Sequence, residues 1–322
     1  MRILSILICL TVPISCSGEP ESPNLDLAVV DQLFGNWPNA PTVDGEPTPA
    51  KIALGDTLYH EKRLSRHGDI SCASCHDLEK FGQDGLPTSP GTAGASGKRN
   101  APTTFDAFRQ FAQFWDFRAA TVEEQSTMPM TTDVEHGLTG DQEIEAILRG
   151  IPEYSASFAA AFPGQAQPIT ADNVRAAIGA FERTLVTRSR FDHFLDGERD
   201  ALSAAEQKGL ATFIEAGCIT CHKTRAVGGE IANKLGLVVP FESEDLGRYA
   251  VTGQESDKLM FKVPMLRNVA ETAPYFHDGS IETLEEAIRI MGKHQLGRDL
   301  TARQVDEIAT FLRSLTGKRI AE

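Results

Sequence analysis

The sequence predicts an all-α chain built from two similar units. Three observations carry this. Capped segments with an apolar stripe of helical period recur from Pro49 to Leu315. No convincing run of alternating apolar and polar residues marks a strand. The pentad Cys-x-x-Cys-His occurs twice, as Cys72-Ala-Ser-Cys75-His76 and Cys218-Ile-Thr-Cys221-His222, about one domain length apart.

The pentad is the attachment signature of a c-type haem. Its two thiols form thioether bonds to one edge of the porphyrin, and the histidine that follows becomes an axial iron ligand. A lone copy would also suit a thioredoxin-like dithiol, and a zinc ribbon pairs Cys-x-x-Cys units over a much shorter gap. Two copies at this separation predict two haems, one in each of two cytochrome c-like domains, with boundaries at residues 46–186 and 187–322. The first is the expected reaction site. Aromatic residues are few, at 7%; two buried porphyrins would supply flat apolar volume that the side chains lack. The formal net charge of -14 excludes nucleic acid as a natural partner and suits a protein carrying a positive patch.

Taken in order, Met1 to about Ser17 reads as an export signal, with residues 1–16 as the signal segment: Arg2 is its charged start, and Ile3 to Val12 is too short to span a bilayer. Ile14-Ser15-Cys16 resembles the end of a bacterial lipobox, with Cys16 lipidated, although Pro13 replaces the usual leucine; plain cleavage nearby is the alternative. Either way the chain is expected in the periplasm, where haem attachment is completed. Residues 17–45 read as a tether and lead-in.

Thr48 as N-cap and Pro49 as first residue open a helix to Tyr59. His60 and His67, just before the first pentad, read as solvated side chains. Phe81 to Asn100, rich in Gly, Ser, Thr and Pro, is a long loop of the kind that is usually functional or disordered. Thr121 and Glu124 form a capping box for a short helix, which Met128-Pro129-Met130 breaks. Glu135 is either a surface carboxylate in a polar turn or, in an apolar pocket, a proton shuttle of raised pKa. Helices follow over Asp141–Arg149, Tyr154–Phe162 and Ala171–Leu185. Ser203 and Glu206 cap a helix to Ala216 that runs into the second pentad, as a cytochrome c domain requires. Thr283 and Glu286 cap a helix over Ile281–Met291, with Gly292 as its stop. On spacing, Met291 suits core packing as well as it suits ligation of the second iron, where a thioether opposite histidine raises the potential. The last helix is Thr301–Leu315.

Several stretches together resemble the bacterial di-haem cytochrome c peroxidases: Leu64-Ser65 with the first pentad, Arg99 to Thr103, Phe114-Trp115-Asp116, Glu124-Gln125, Val134-Glu135, Phe261 to Asn268, and Ala273 to Gly279 followed by Met291, fourteen residues after His277. The resemblance spans about Thr48 to Thr316. It implies that His76 is the proximal ligand of a peroxide-reacting haem, and that His222 and Met291 are the axial pair of an electron-accepting haem. It also implies Glu135 and Gln125 as the distal pair, Trp115 between the haems, and a calcium ion held by Asn100, Thr272 and Pro274, oxygen donors of the kind Ca²⁺ prefers. Hydrogen peroxide as substrate, a small cytochrome c or copper protein as donor, and a homodimer follow from the same resemblance. So does the mechanism, in which Trp115 passes electrons between the haems, Gln125 orients peroxide, and Glu135 moves a proton from its near oxygen to its far one.

The chain also departs from that family. Where the loop after the first haem usually reads Ser-x-Gly-His, here it reads Ser89-Pro90-Gly91-Thr92, so the histidine that caps the resting iron is missing. Phe117 replaces a glycine, Met128 stands where glycine is common, and His136 where methionine is common. With Thr92 in the loop, the iron opposite His76 is expected open in the oxidised protein, so that peroxide reacts without prior reduction, unless His67, His136, Met128 or Met130 substitutes. The rivals are a MauG-like oxidase of protein side chains, a group with tyrosine where Met291 stands, and a pure electron carrier, which has no use for an open iron.

Overall fold

The structure, a computed structural model, describes residues 25–39 and 47–320. The export signal and Cys16 lie outside the described residues. The helices are, in order, α1 (Leu27–Phe34), α2 (Pro49–Tyr59), α3 (Cys72–Cys75), α4 (Val122–Ser126), α5 (Asp141–Arg149), α6 (Pro152–Ala161), α7 (Ala171–Glu182), α8 (Arg190–Leu195), α9 (Ala204–Ala216), α10 (Tyr249–Thr252), α11 (Leu284–Leu296) and α12 (Ala302–Arg313). Among the described residues, strands are confined to two antiparallel ribbons: β1 (Thr187–Ser189) with β4 (Gly317–Arg319), and β2 (Ala232–Lys234) with β3 (Met260–Lys262). The helix-rich expectation holds. Three-residue strands are too short for an alternating pattern to register in sequence.

One packing solution is used twice. Thr48 Oγ1 accepts from Lys51 N at 3.3 Å and opens α2, which leads to the first pentad and packs along α7. The reciprocal pair Ser203 and Glu206 opens α9, which leads to the second pentad and packs along α12. A glycine sits at each crossing: a Cβ on Gly55 would run into the Ala177 carbonyl, and one on Gly209 into that of Glu307. Each glycine gives up about 1 kcal/mol of helix propensity relative to alanine and lets two backbones close on each other. The first core gathers Leu54, Leu58, Leu64, Met130, Leu148, Phe158 and Ile178. The second gathers Leu210, Phe213, Val305, Ile308, Phe311 and Leu312. At about 1.5–3 kcal/mol per fully buried side chain of this size, either set is enough to hold its helices together.

The segment expected as tether and lead-in contains a helix. Asp26 Oδ1 accepts from Ala28 N at 3.0 Å to start α1, whose Val30 and Phe34 enter the second core, Phe34 edge-on to Phe191 with ring centres 5.5 Å apart. Thr224 N then donates to Leu33 O (2.8 Å) and Arg225 N to Asn36 O (2.7 Å). The N-terminal segment thus crosses to the C-terminal half before the chain returns to build the first core.

Several helix ends differ from those expected. α6 begins at Pro152, which suits a first helical position, and α7 stops at Glu182. Gly292 does not stop α11. It is buried inside the helix, where a Cβ would press on Leu300, and the helix ends instead at Gly297, whose φ of +65° is the left-handed cap.

Candidate active site

The second pentad follows Gly217, whose φ of +94° turns the chain sharply out of α9. His222 Nδ1 donates to Val227 O at 3.2 Å, which leaves Nε2 as the lone-pair nitrogen. Burial pushes the ring down to about 4, so it is neutral, as a metal ligand must be. Cys218, Cys221, His222 and Met291 line one cavity, walled by Leu284, Ile288 and Phe261. The structure therefore brings Met291, half-buried on α11, to the same space as His222.

The first pentad repeats this geometry. α3 is capped through Ser71 N donating to Ser74 Oγ at 2.9 Å. His76 Nδ1 donates to Gly82 O at 3.2 Å, again freeing Nε2, and burial again lowers its pKa. Tyr59, fully buried, donates its hydroxyl to His76 O at 2.8 Å. Burial pushes the Cys72 and Cys218 thiols up to about 12. Among the described residues, no three His, Cys, Asp or Glu side chains gather as a metal site. A zinc ribbon does not fit; two haems, each held by two sulfurs and one anchored histidine, do.

Glu135 lies near the first pentad, and Gln125 lies on a short helix ten residues before Glu135 in sequence. Gln125 is carried by α4, whose Thr121 cap accepts from Glu124 N at 3.1 Å, while the Glu124 carboxylate caps Ala120 N at 2.7 Å. Glu135 is half-buried; burial raises its pKa, against the pull of Arg118. Its charge adds slightly to the rise of Cys72 and Cys75, which are raised chiefly by burial, so it lies near that pentad. Among the described residues neither the Glu135 carboxylate nor the Gln125 amide makes a hydrogen bond, so both are free for a ligand.

Trp115 stands at the seam between the halves. Its Nε1 donates to Asn100 O at 3.0 Å, and its ring meets His277 edge-on at 6.5 Å. It lines the cavity of the second pentad, as do Asn100, Thr272 and Pro274. Among the described residues the Thr272 and Pro274 carbonyls accept no main-chain or side-chain hydrogen bond. The Asn100 amide donates its nitrogen to Leu86 O at 2.9 Å, which turns its oxygen away from that bond. Three oxygens without donors, two of them backbone carbonyls, suit a hard cation.

The loop with Thr92 is fixed. Thr92 is buried; its Oγ1 donates to Asp69 Oδ1 at 2.7 Å and its N to Glu135 O at 2.8 Å, while Ala93 N donates to Asp69 Oδ2 at 2.8 Å. These bonds hold the Asp69 carboxyl down near 2. Of the side chains able to replace a loop histidine, His67 is exposed and Met130 is enclosed in the first core. His136 is buried with Nδ1 donating to Leu64 O at 2.6 Å. Sequence reasoning missed Tyr59, Asp69, Arg118 and Lys262. Only Lys262 left a signal, as a lone charge inside the apolar run from Phe261 to Leu266.

A family model described as di-haem cytochrome c peroxidase matches residues 49–200. The chain is 44% identical over 272 residues to a cytochrome c551 peroxidase of Pseudomonas aeruginosa, spanning 83% of this chain and 78% of that one. It is 34% identical over 283 residues to the methylamine utilization protein MauG of Methylorubrum extorquens, spanning 85% and 79%. Among solved structures it matches a MauG-like protein associated with microbial copper homeostasis with a TM-score of 0.77 at 32% identity, over 87% of this chain and 93% of that one.

Proposed function

The chain belongs to the di-haem cytochrome c peroxidase family and is a cytochrome c peroxidase, and we propose that it reduces hydrogen peroxide to water in the periplasm with electrons from a small cytochrome c or cupredoxin. The repeated pentad geometry supports residues 46–186 and 187–322 as two haem domains, with residues 25–39 belonging to the second. In this reading Cys72 and Cys75, and Cys218 and Cys221, hold the haems by thioether bonds; His76 and His222 ligate through Nε2, and Met291 through its sulfur. The haems, when bound, supply the redox chemistry. The chain's own part is orientation and proton control. Gln125 orients peroxide, and a Glu135 carboxylate oxygen accepts the proton of the near peroxide oxygen and returns it to the far one. Trp115 bridges the halves. Calcium at Asn100, Thr272 and Pro274 would stiffen the seam around it. A lipid on Cys16 and a homodimer complete the proposal.

The observation that supports the reading is Met291 lining one cavity with His222, together with a Glu135 carboxylate that lies near the first pentad and has no hydrogen-bond partner among the described residues. Peroxide-dependent oxidation of a reduced donor cytochrome tests it. Met291 in that position favours this activity over MauG-like oxidation of a protein side chain; a protein that consumes peroxide only while oxidising a protein substrate would reverse the preference.

Glu135→Gln should cut turnover by roughly 10²-fold or more. Because burial raises Glu135, protonation removes the base, so wild-type turnover should fall as pH drops through a value above 4.5, and the variant should lack that limb. Turnover near wild type in the variant would move the role elsewhere, with His136 the first suspect.

Met291→Leu should leave both haems attached and lower the potential of one sharply. Unchanged potentials would make Met291 a packing residue.

Chelation of calcium should slow inter-haem transfer with both haems retained. Full activity in chelator, with no calcium found in the purified protein, counts against the site.

The all-ferric protein should show a high-spin haem that reacts with peroxide before any electron is added, and His136→Phe should leave that spectrum unchanged. A wholly low-spin spectrum that turns high-spin in the variant would identify His136 as a sixth ligand and close the proposed open site.

A further inference from the structure

Lys262 is a buried lysine, 4% exposed, at the end of β3. Its main-chain N donates to Trp115 O at 2.8 Å, and its Nζ to Ala112 O at 3.0 Å. One residue of the C-terminal half thus bonds twice to the segment of the N-terminal half that carries Trp115. An ammonium has three donors. Among the described residues Ala112 O takes one, and no carboxylate lies within ion-pair distance. Asp116 is near enough to favour the charge, but its two oxygens are held by Arg99 and Arg118. Lys262 lines the same cavity as Cys218, His222, Met291 and Trp115.

A buried ammonium with a single neutral acceptor is costly, and the cost shows: burial pushes Lys262 down to about 7. Capping one carbonyl does not require a cation. What fills the cavity, on the reading of Cys218, Cys221, His222 and Met291 given above, is a haem, and a haem carries two propionate carboxylates. We propose that Lys262 binds a propionate of the C-terminal haem through a charge-assisted hydrogen bond, which fixes that edge of the ring against the Trp115 segment and raises the haem's potential. The proposal rests on the two-haem reading. A fixed positive charge beside a redox centre favours the state with one more electron, and hydrogen bonds around a haem are an established lever on its potential. The lysine would then act on both ends of the electron path, setting the acceptor's potential and holding it in register with Trp115.

The test uses the full di-haem protein with Lys262→Met, Lys262→Gln and Lys262→Arg. A haem count on the wild type comes first: fewer than two haems per chain overturns the two-haem reading and this proposal with it. Each haem is then titrated by spectroelectrochemistry, and its propionate-bending band is read by resonance Raman. Lys262→Met and Lys262→Gln should lower the ferrous-to-ferric ratio of the C-terminal haem at fixed applied potential by roughly tenfold, about 59 mV for a one-electron couple. They should shift that haem's propionate band and leave the other haem's alone, and Lys262→Arg should keep the band in place. Glutamine retains a donor for Ala112 O, so Lys262→Gln decides the matter if the methionine variant does not fold. A glutamine variant with wild-type potential and an unshifted band would reduce Lys262 to a backbone cap across the seam.

Discussion

Arg267 holds the two halves in register. Its guanidinium, 1% exposed, donates to Asp106 Oδ2 at 3.2 Å, to Asp192 Oδ1 and Oδ2 at 3.0 and 2.9 Å, and to Thr187 O at 2.6 Å. Asp106 comes from the loop after the first pentad, Thr187 and Asp192 from the start of the second half. Trp37, brought in behind α1, lies over Arg109, Arg267 and Arg225 at 3.8, 5.0 and 5.7 Å. Three separate stretches of chain therefore converge on one cation. Against an apolar replacement such a buried cluster is about neutral in stability, whereas losing one partner strands a charge at about 3–5 kcal/mol. Its contribution is geometric: few other arrangements of the halves satisfy every group. Asp106 accepts a left-handed φ of 55° to take part. Arg267 also belongs to the same run as Lys262, so fixing it fixes the wall of the second cavity.

The seam around Trp115 is built with the same economy. Asp116 is buried and held by Arg99, which also reaches Asp245, and by both contacts from Arg118. Phe117 takes a φ of 46°, a conformation that suits the glycine common in relatives better than phenylalanine. Its ring packs 4.8 Å from the Arg248 guanidinium and 5.9 Å from Phe111, and Arg248 donates to both the Asp116 and Phe117 carbonyls. The strain is offset by packing that a glycine would not provide. The result is a tryptophan whose indole N–H, ring edge and carbonyl are all engaged, which suits a group whose use depends on staying in one place.

Much of this was legible in sequence wherever one residue type does one local job. Thr48, Ser203 and Thr283 mark helix starts because a side-chain oxygen must satisfy backbone donors, and those caps are present. The pentads stand out because haem attachment leaves little choice of residue, and the di-haem family match agrees with two of them. What was missed depends on residues far apart in sequence. α1 is short, and its apolar face has meaning only against Phe191. Gly292 reads as a stop because glycine usually ends helices, yet here it makes room for Leu300, a contact no local pattern encodes. The extra helical turns it permits leave Met291 inside α11 rather than at a fraying end. The unpaired state of Glu135 and Gln125, and of the carbonyls near Asn100, is likewise a property of the folded arrangement.

The loop at Thr92 joins the proton site to the question of access. Thr92 N binds Glu135 O, and Gly91 lies so close to the carbonyls of Val134 and Glu135 that a Cβ would collide with them. Any movement of this loop would therefore drag the backbone of Glu135. A loop that must release an iron ligand has to disturb that backbone in each activation. A loop pinned to Asp69 by two hydrogen bonds has no such task, and can leave Glu135 in one position throughout. If Glu135 is the acceptor proposed above, it would need no rearrangement when peroxide arrives, which is where positioned groups gain most of their advantage. Thr92, bonded both to Asp69 and to the Glu135 carbonyl, thus makes the loop a support for the backbone of Glu135.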